Sequence, residues 1–300
     1  MKKLIKILSV FLAVIMAFAS TSVAFASTKY YSKYDGKTYT HNTKFDTFNK
    51  VVGIDVSEHN KTVDFNKVKA DGIDFVYVRV GYTGYTKKKL SLNYDHYYQE
   101  NITNALAAGL QVGVYWYSQA LNVDEALQEA NMLLNVIGNY NITLPVVYDY
   151  EFAGVGEDGR LDSANLSKAQ MTANSLAFLN RVSQMGYTPC LYANYSFLKN
   201  RVDASQISSI AKIWLAHYNT STDYPGDYEY WQYTSDGRVN GISGRVDMNI
   251  WYQRAQLGVP TAPVTPNVTQ PTAKKVTGVK LKAKTNTTLT FSWTSQTYAE

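Results

Sequence analysis

The chain has 300 residues, with 29 Lys and Arg against 24 Asp and Glu, 25 Tyr and a single Cys. One cysteine excludes an intramolecular disulfide framework and a zinc site built from several cysteines. The basic surplus lies at the two ends, because three lysines precede residue 7 and five more fall within 274–284. Residues 27–273 carry 21 basic and 23 acidic residues, so we expect no nucleic-acid partner.

The N-terminal residues resemble an export signal. Residues 1–26 begin with lysines, continue as a long apolar run and end in Ala24-Phe25-Ala26, which is typical of a cleaved secretory signal peptide. The alternative is an uncleaved anchor helix. No later stretch reaches about 18 consecutive apolar residues, so we expect no membrane contact after cleavage. Residues 27–49 are polar and weakly patterned, and we interpret them as a leader.

From Val51 onward, apolar runs of strand length alternate with amphipathic stretches. Helices are predicted at about Val63–Ala70, Tyr94–Ala108, Val123–Ile137 and Asn165–Met185, with glycines near their C-terminal ends. Asn122 or Asp124 can cap the third helix, and Ser167 lies near the start of the fourth. Eight strands are predicted: Val51–Val56, Phe75–Val80, Gln111–Tyr117, Pro145–Glu151, Pro189–Ala193, Lys212–His217, Tyr228–Tyr233 and Val246–Trp251.

This alternation predicts an α/β fold, an irregular TIM-like (β/α) barrel of about eight strands over residues 50–256. The barrel should be least regular between Lys212 and Trp251, where there is little room for helices. An open doubly wound sheet is the alternative, but no Gly-rich phosphate loop follows the first strand.

The C-terminal residues read as a separate module. Residues 257–273 are rich in Pro and Thr and predict a semi-extended linker. Residues Val276–Ala283 and Thr287–Trp293 alternate apolar and polar side chains like two strands. Residues 274–300 are too few to bury that face alone, so we interpret them as the incomplete start of an all-β domain.

Carboxylates at the strand ends are the strongest chemical signal. Asp149 and Glu151 share one face of a strand, about 6.5–7 Å apart. Repulsion and burial should raise the pKa of one of them, as a general acid requires. Asp55 ends the first strand and Asp247 begins the last, and these strands are neighbours in a closed barrel. Four carboxylates should therefore converge on one cleft.

Such a cluster is typical of metal or sugar chemistry. The four histidines form no metal-binding pair, and no EF-hand-like loop is present, although a site of carboxylates alone stays open. Tyrosine favours sugar, because 20 of the 25 lie between Val51 and Tyr252, many of them at strand ends. We therefore expect no metal and no cofactor.

Short motifs in a fixed order resemble glycoside hydrolase family 25, the Chalaropsis-type lysozymes. They cover about Lys50 to Tyr252. The motifs are Gly53-Ile-Asp55-Val-Ser57, Val78-Arg79-Val80-Gly81-Tyr82, Gly113-Val-Tyr115-Trp-Tyr117-Ser118, Tyr148-Asp149-Tyr-Glu151, Trp231-Gln232-Tyr233 and Val246-Asp247-Met-Asn249. The segment Val276–Trp293 is similar to the opening strands of a fibronectin type III domain.

The resemblance implies a secreted or wall-associated N-acetylmuramidase of a Gram-positive-type bacterium. The substrate would be peptidoglycan, cleaved at the β-1,4 bond between N-acetylmuramic acid and N-acetylglucosamine. Glu151 would be the general acid, Asp149 would orient the 2-acetamido group or stabilise positive charge, and Asp55 and Asp247 would complete the acidic floor. The expected substrate-binding residues are Tyr82, Tyr115, Tyr117, Tyr192, Asn194, His217, Trp231 and Gln232.

Two alternatives stay open at this point. One is a non-catalytic glycan-binding protein that keeps the barrel as a lectin-like cleft, and the other is a hydrolase of chitin-like chains. Sequence spacing does not distinguish retention from inversion, although the resemblance implies retention with the substrate's acetamido group as nucleophile. We expect a monomer.

Overall fold

The computed structural model describes residues 28–85, 89–154 and 159–254, together with the backbone of residues 280–284 and 289–292. The chain divides into two compact units between Ala255 and Gln256. The predicted signal peptide and the Pro- and Thr-rich linker lie outside the described residues. Within them, no helix is long and apolar enough to cross a membrane.

The first unit is a closed eight-stranded barrel, as the sequence predicts. Its strands follow one another around the barrel in chain order, and the last pairs with the first. A short strand, β5 (Leu92–Tyr94), lies outside the barrel on the edge of β4 (Phe75–Thr83). The barrel strands are β3 (Phe48–Val56), β4 (Phe75–Thr83), β6 (Gln111–Ser118), β7 (Val146–Tyr150), β8 (Pro189–Asn194), β9 (Lys212–Ala216), β10 (Tyr230–Gly237) and β11 (Val246–Arg254).

Helices cover the barrel from outside over its first two thirds. The third, α3, spans Val123–Ile137 as predicted, and the side chains of Asn122 and Ser167 cap α3 and α5 (Lys168–Gln184). These caps satisfy backbone N–H groups that the first helical turn leaves free. The helices are α1 (Phe65–Ala70), α2 (Tyr98–Ala107), α3 (Val123–Ile137), α4 (Arg160–Ser163), α5 (Lys168–Gln184), α6 (Tyr195–Asn200) and α7 (Ala204–Ser208).

The barrel interior is filled by aromatic rings. Tyr77 stacks on Trp214 with ring centroids 4.4 Å apart, and Phe75 lies edge-on to Tyr77. Glycines on neighbouring strands make room for these rings, because a Cβ on Gly113 would lie 2.2 Å from the Tyr77 ring. A packed interior leaves the strand ends as the place for a ligand site.

The last third of the barrel departs from the β/α pattern. No helix lies between β9 and β10 or between β10 and β11, and β11 runs antiparallel to both its neighbours, β10 and β3. The sequence predicts this irregularity, since the connections there are too short to hold a helix. The outer face of these strands consequently needs another cover.

An N-terminal hairpin supplies that cover. Strands β1 (Lys29–Ser32) and β2 (Lys37–Thr40) pair antiparallel, and a 3-10 turn follows at Thr43–Phe45. The Tyr39 ring lies edge-on to Trp231 and Tyr233, at centroid distances of 5.9 and 4.4 Å. The interpretation of residues 27–49 as a leader is therefore corrected for residues 28–49, which belong to the barrel unit, because the side chains of Tyr34, Tyr39 and Phe45 are buried.

In the second unit, the structure describes one pair of short strands. Strands β12 (Lys280–Lys284) and β13 (Leu289–Ser292) pair antiparallel; β13 lies within the second predicted stretch, and β12 overlaps the first and ends one residue beyond it. The remainder of residues 274–300 lies outside the described residues, and the fibronectin-like assignment stays a prediction.

Candidate active site

An open pocket lies at the C-terminal ends of the parallel strands. Three of the predicted acids come from strands or loops that end there: Asp55 from β3, Asp149 from β7 and Glu151 just after β7. Asp247 begins β11, which runs the opposite way, so its start lies at the same end of the barrel. The lining residues are Asp55, Ser57, His59, Arg79, Tyr115, Tyr117, Asp149, Glu151, Tyr192, Trp214, Tyr218, Gln232 and Asp247.

The strand register brings the acids together. Asp247 lies directly opposite Asp55 in the antiparallel ladder of β11 and β3. Asp149 and Glu151 are two residues apart, so they face the same side of β7. Asp55 and Asp149 are each only 6% exposed, and Glu151 and Asp247 are partly buried. The predicted convergence of four carboxylates is therefore found in the structure.

Burial raises the pKa of all four carboxyl groups, and the charges of neighbouring carboxylates raise the pKa of Asp149, Glu151 and Asp247 further. The pKa of Asp55 rises to about 6, that of Glu151 to about 7 and that of Asp247 to about 8. The pKa of Asp149 is also well above its usual range, through burial and then the charges of Glu151 and Asp55. The four groups cannot all be ionised at neutral pH, so the pocket holds a carboxylic acid able to donate a proton.

The carboxyl groups of Asp55 and Asp149 differ in their hydrogen bonds. Asp55 Oδ2 accepts from the side-chain amides of Gln232 and Asn249, both at 2.8 Å. By contrast, Asp149 Oδ1 is buried and has no hydrogen-bond partner among the described residues. A buried acceptor without a partner is costly, so this oxygen is suited to a donor brought by a ligand.

Comparison with known proteins identifies the family. The sequence profile of "Glycosyl hydrolases family 25" matches residues 54–242, more than half of the chain. The chain belongs to this family. The barrel is therefore a glycoside hydrolase domain.

Named relatives are similar over the same region. The autolytic lysozyme of Clostridium acetobutylicum is 29% identical over 66% of this chain and 54% of its own length. Lysozyme M1 of Streptomyces globisporus is 29% identical over 66% of this chain and 67% of its own. The chain thus spans about half the length of the first of these relatives.

Solved structures agree with the fold. A bacterial lysozyme from Streptomyces coelicolor is 26% identical with a TM-score of 0.56, covering 68% of this chain and 93% of that one. The modular autolysin LytC from Streptococcus pneumoniae is 28% identical with a TM-score of 0.59, over 76% of this chain and 52% of LytC.

A buried glutamine holds the loop of Glu151 in the family 25 barrel. Gln119 Nε2 donates to the backbone oxygen of Glu151 at 3.1 Å, and Gln119 Oε1 accepts from the backbone N–H of Leu161 at 3.0 Å. One side chain therefore ties together both ends of segment 151–161. Arg160 anchors the far end through two hydrogen bonds to Glu125, each 2.6 Å long. The sequence offers no signal for this role, since a glutamine after a strand is unremarkable by itself.

Arg79 places a positive charge at the pocket, and we did not predict it as a site residue. Its Nε donates to Asp95 Oδ2 at 2.8 Å, and its Nη2 lies 3.1 Å from Glu58 Oε1. The guanidinium lowers the pKa of Asp149, against the larger effect of burial. Tyr82, a predicted sugar-binding residue, packs against Arg79 at 4.9 Å and does not line the pocket. The motif Val78-Arg79-Val80-Gly81-Tyr82 resembles the family's, but a single arginine within a strand does not by itself indicate a function.

Four predicted binding residues do line the pocket: Tyr115, Tyr117, Tyr192 and Gln232. The structure adds lining residues that we did not assign to binding: Ser57, His59, Arg79, Trp214 and Tyr218. Tyr218 had a usable signal, since it is an aromatic residue just after the end of β9, whereas Trp214 lies in the middle of that strand.

Trp231, Asn194 and His217 do not line the pocket. The assignment of Trp231 to substrate binding is corrected, and those of Asn194 and His217 stay predictions. Trp231 is fully buried on the outer face of β10, under the hairpin, because its neighbour Gln232 points inward. The Asn194 side chain accepts from Phe197 N and caps α6. His217 Nδ1 lies 2.9 Å from Thr222 Oγ1 and thereby stabilises the loop after β9.

Proposed function

We propose that the barrel is an N-acetylmuramidase that hydrolyses the β-1,4 bond between N-acetylmuramic acid and N-acetylglucosamine in peptidoglycan. One observation carries the proposal: four carboxyl groups of raised pKa converge in a pocket lined with tyrosines. The lysozymes and autolysin among the relatives support the choice of substrate.

Glu151 is the proposed general acid. Its pKa of about 7 keeps it largely protonated below neutral pH and about half protonated at pH 7, so it can donate a proton to the glycosidic oxygen as the bond breaks. The buried Asp149 Oδ1 accepts the N–H of the substrate's 2-acetamido group and so directs the acetamido oxygen at the anomeric carbon. That attack forms a cyclic oxazolinium ion, which water opens as Glu151 takes back a proton.

Tyrosine rings provide the sugar-binding surface. Tyr218 is 56% exposed at the rim and donates a hydrogen bond from its hydroxyl to Gln232 Oε1. Tyr117 and Tyr115 line the opposite wall, on one face of β6. An aromatic ring offers an apolar face to the C–H side of a pyranose, and its hydroxyl can bond to sugar hydroxyls.

Digestion of purified Gram-positive cell walls tests the proposal. After digestion, borohydride converts new reducing ends to alcohols, which are identified after acid hydrolysis. We expect reduced muramic acid to appear. Reduced glucosamine alone would mean the opposite bond specificity and would refute the proposal.

Matched variants connect the activity to the pocket. Glu151→Gln should lose wall cleavage with the fold intact, whereas Glu100→Gln, at an exposed position in α2, should keep it. Wall binding without any fragment release by the wild-type protein would favour the non-catalytic alternative. Equal turnover of chitin oligomers and peptidoglycan would favour a chitin-type hydrolase.

Export follows from the same proposal. We infer that residues 1–26 direct secretion and are removed, leaving a monomer that acts in or near a cell wall of the Gram-positive type. Sequencing the N-terminus of the protein recovered from culture medium tests this inference, and a retained Met1 would contradict it.

A further inference from the structure

The carboxylate of Asp55 sits at the end of a buried chain of hydrogen bonds. Trp214 Nε1 donates to Asn249 Oδ1 at 2.8 Å, and Asn249 Nδ2 donates to Asp55 Oδ2 at 2.8 Å. Asn249 is fully buried, and Trp214 is 1% exposed. The register explains the contact, since Asn249 on β11 lies opposite Gly53 of β3, two residues before Asp55.

The indole fixes which way this chain runs. An indole N–H can only donate, so the Asn249 oxygen must face Trp214 and the Asn249 NH₂ must face Asp55. A second amide acts in parallel: Tyr192 and Tyr218 hydroxyls both donate to Gln232 Oε1 at 2.7 Å, and Gln232 Nε2 then donates to Asp55. Both amides therefore bond to the same carboxylate oxygen, Oδ2.

Two N–H donors favour the charged form of a carboxyl group. They oppose the burial that raises the pKa of Asp55, and that pKa of about 6 is below those of Glu151 and Asp247. The charged and titratable side chains that line the pocket around Asp55 are His59, Arg79, Tyr115, Tyr117, Asp149, Glu151, Tyr192, Tyr218 and Asp247.

We propose that Trp214 and Asn249 are positioning residues that keep Asp55 ionised, so that Asp55 is the fixed anion of the pocket while Glu151 retains its proton. The inference rests on the proposed hydrolase function. In that reaction positive charge develops at the anomeric carbon, and a preorganised anion stabilises it without reorganising. Gln232 then has two roles, because it lines the pocket and its amide also donates to Asp55.

The pH dependence of kcat/KM tests this role. Asn249→Leu removes the amide at nearly constant volume, and Trp214→Phe removes the N–H that orients it. In both variants Asp55 ionises less readily, so the acidic limb of the profile should move to higher pH by about half a unit to one unit. The maximum for Asn249→Leu should fall about 10- to 100-fold, as for loss of a hydrogen bond to a charged group.

Trp251→Phe is the matched control. Its indole also donates to a carboxylate, Glu229, at 3.0 Å, but outside the pocket. We expect this variant to keep the wild-type acidic limb. If Asn249 and Trp214 had a merely structural role, their variants would have a lower maximum of kcat/KM but an acidic limb at the wild-type pH. That result in folded variants would overturn the proposal.

The two proposals fail separately. If the wild-type protein releases no reducing ends from cell walls, the proposed function fails. If the wild-type protein is active and the two variants keep its acidic limb, the positioning role alone fails. Circular dichroism before each assay establishes that the variants are folded. Should Asn249→Leu not fold, Trp214→Phe still decides the outcome.

Discussion

Replacing Glu151 by glutamine should stabilise the protein at alkaline pH while it abolishes cleavage. In the folded protein the pKa of Glu151 is raised from 4.5 to about 7, first by burial and then by the charge of Asp55. The folded state therefore binds the proton more tightly than the unfolded state does. Stability from this group is full below about pH 4.5 and is lost as the pH rises toward 7 and beyond.

The size of the effect follows from the pKa difference. A rise of about 2.5 units corresponds to about 3 kcal/mol at pH 8, at 1.36 kcal/mol per unit. The pocket is open to solvent, and the repulsion is shared between Glu151 and Asp55. We therefore expect Glu151→Gln to raise the free energy of unfolding at pH 8 by about 1–2 kcal/mol. For a barrel of this size that is a rise in Tm of about 2–8 °C.

Thermal unfolding at pH 5 and pH 8 provides the assay, with wild type, Glu151→Gln and the exposed Glu100→Gln compared in parallel. The gain in Tm should be small at pH 5 and larger at pH 8, and Glu100→Gln should match wild type at both. An equal gain at both pH values, or a loss at pH 8, would refute the reasoning that Glu151 carries an unfavourable charge.

Two further predictions concern residues away from the pocket. Glu129 is fully buried in α3, and burial raises its pKa from 4.5 to about 7. Glu129→Gln should therefore reduce the fall in the free energy of unfolding between pH 4.5 and 7, measured by urea denaturation. The same fall in the variant as in the wild type would contradict this. Tyr39→Ala should cost about 3 kcal/mol in the same assay, because its buried ring seals β10, whereas Tyr31→Ala, 66% exposed on the same hairpin, should cost little. Equal losses for the two tyrosines would mean that the hairpin does not cover the barrel.

Strands and helices were predictable where local pattern and tertiary burial agree. Helix α3 has a capping asparagine, an amphipathic repeat and a glycine at its end, and its bounds match the prediction at both residues. The hairpin was missed for the opposite reason. Its strands have four residues each, and the burial of Tyr39 arises from contacts with Trp231 and Tyr233, nearly 200 residues away.

The acids were predictable because strand ends can be found in sequence, but the face of each strand could not always be assigned. Both faces of a barrel strand are buried, so apolar pattern does not tell inside from outside. Trp231 and Gln232 are consecutive, and alternation allows only one of them to face the pocket. The structure places Gln232 inside, where it bonds to Asp55. Hydrogen-bonded chains such as Trp214–Asn249 depend on register between distant strands, which sequence pattern does not specify.

The antiparallel last strand accounts for both the site and its support. Because β11 runs opposite to the other strands, its first residues lie at the pocket, and this places Asp247 opposite Asp55 and Asn249 within reach of the same carboxylate. The connections on both sides of β10 hold no helix, and the hairpin covers this part of the barrel instead. Thr40 of the hairpin donates to the backbone oxygen of Thr220, in the loop that also carries Tyr218. The hairpin thus stabilises the wall of the pocket that the irregular strands create, and it belongs to the functional domain although it precedes the family match.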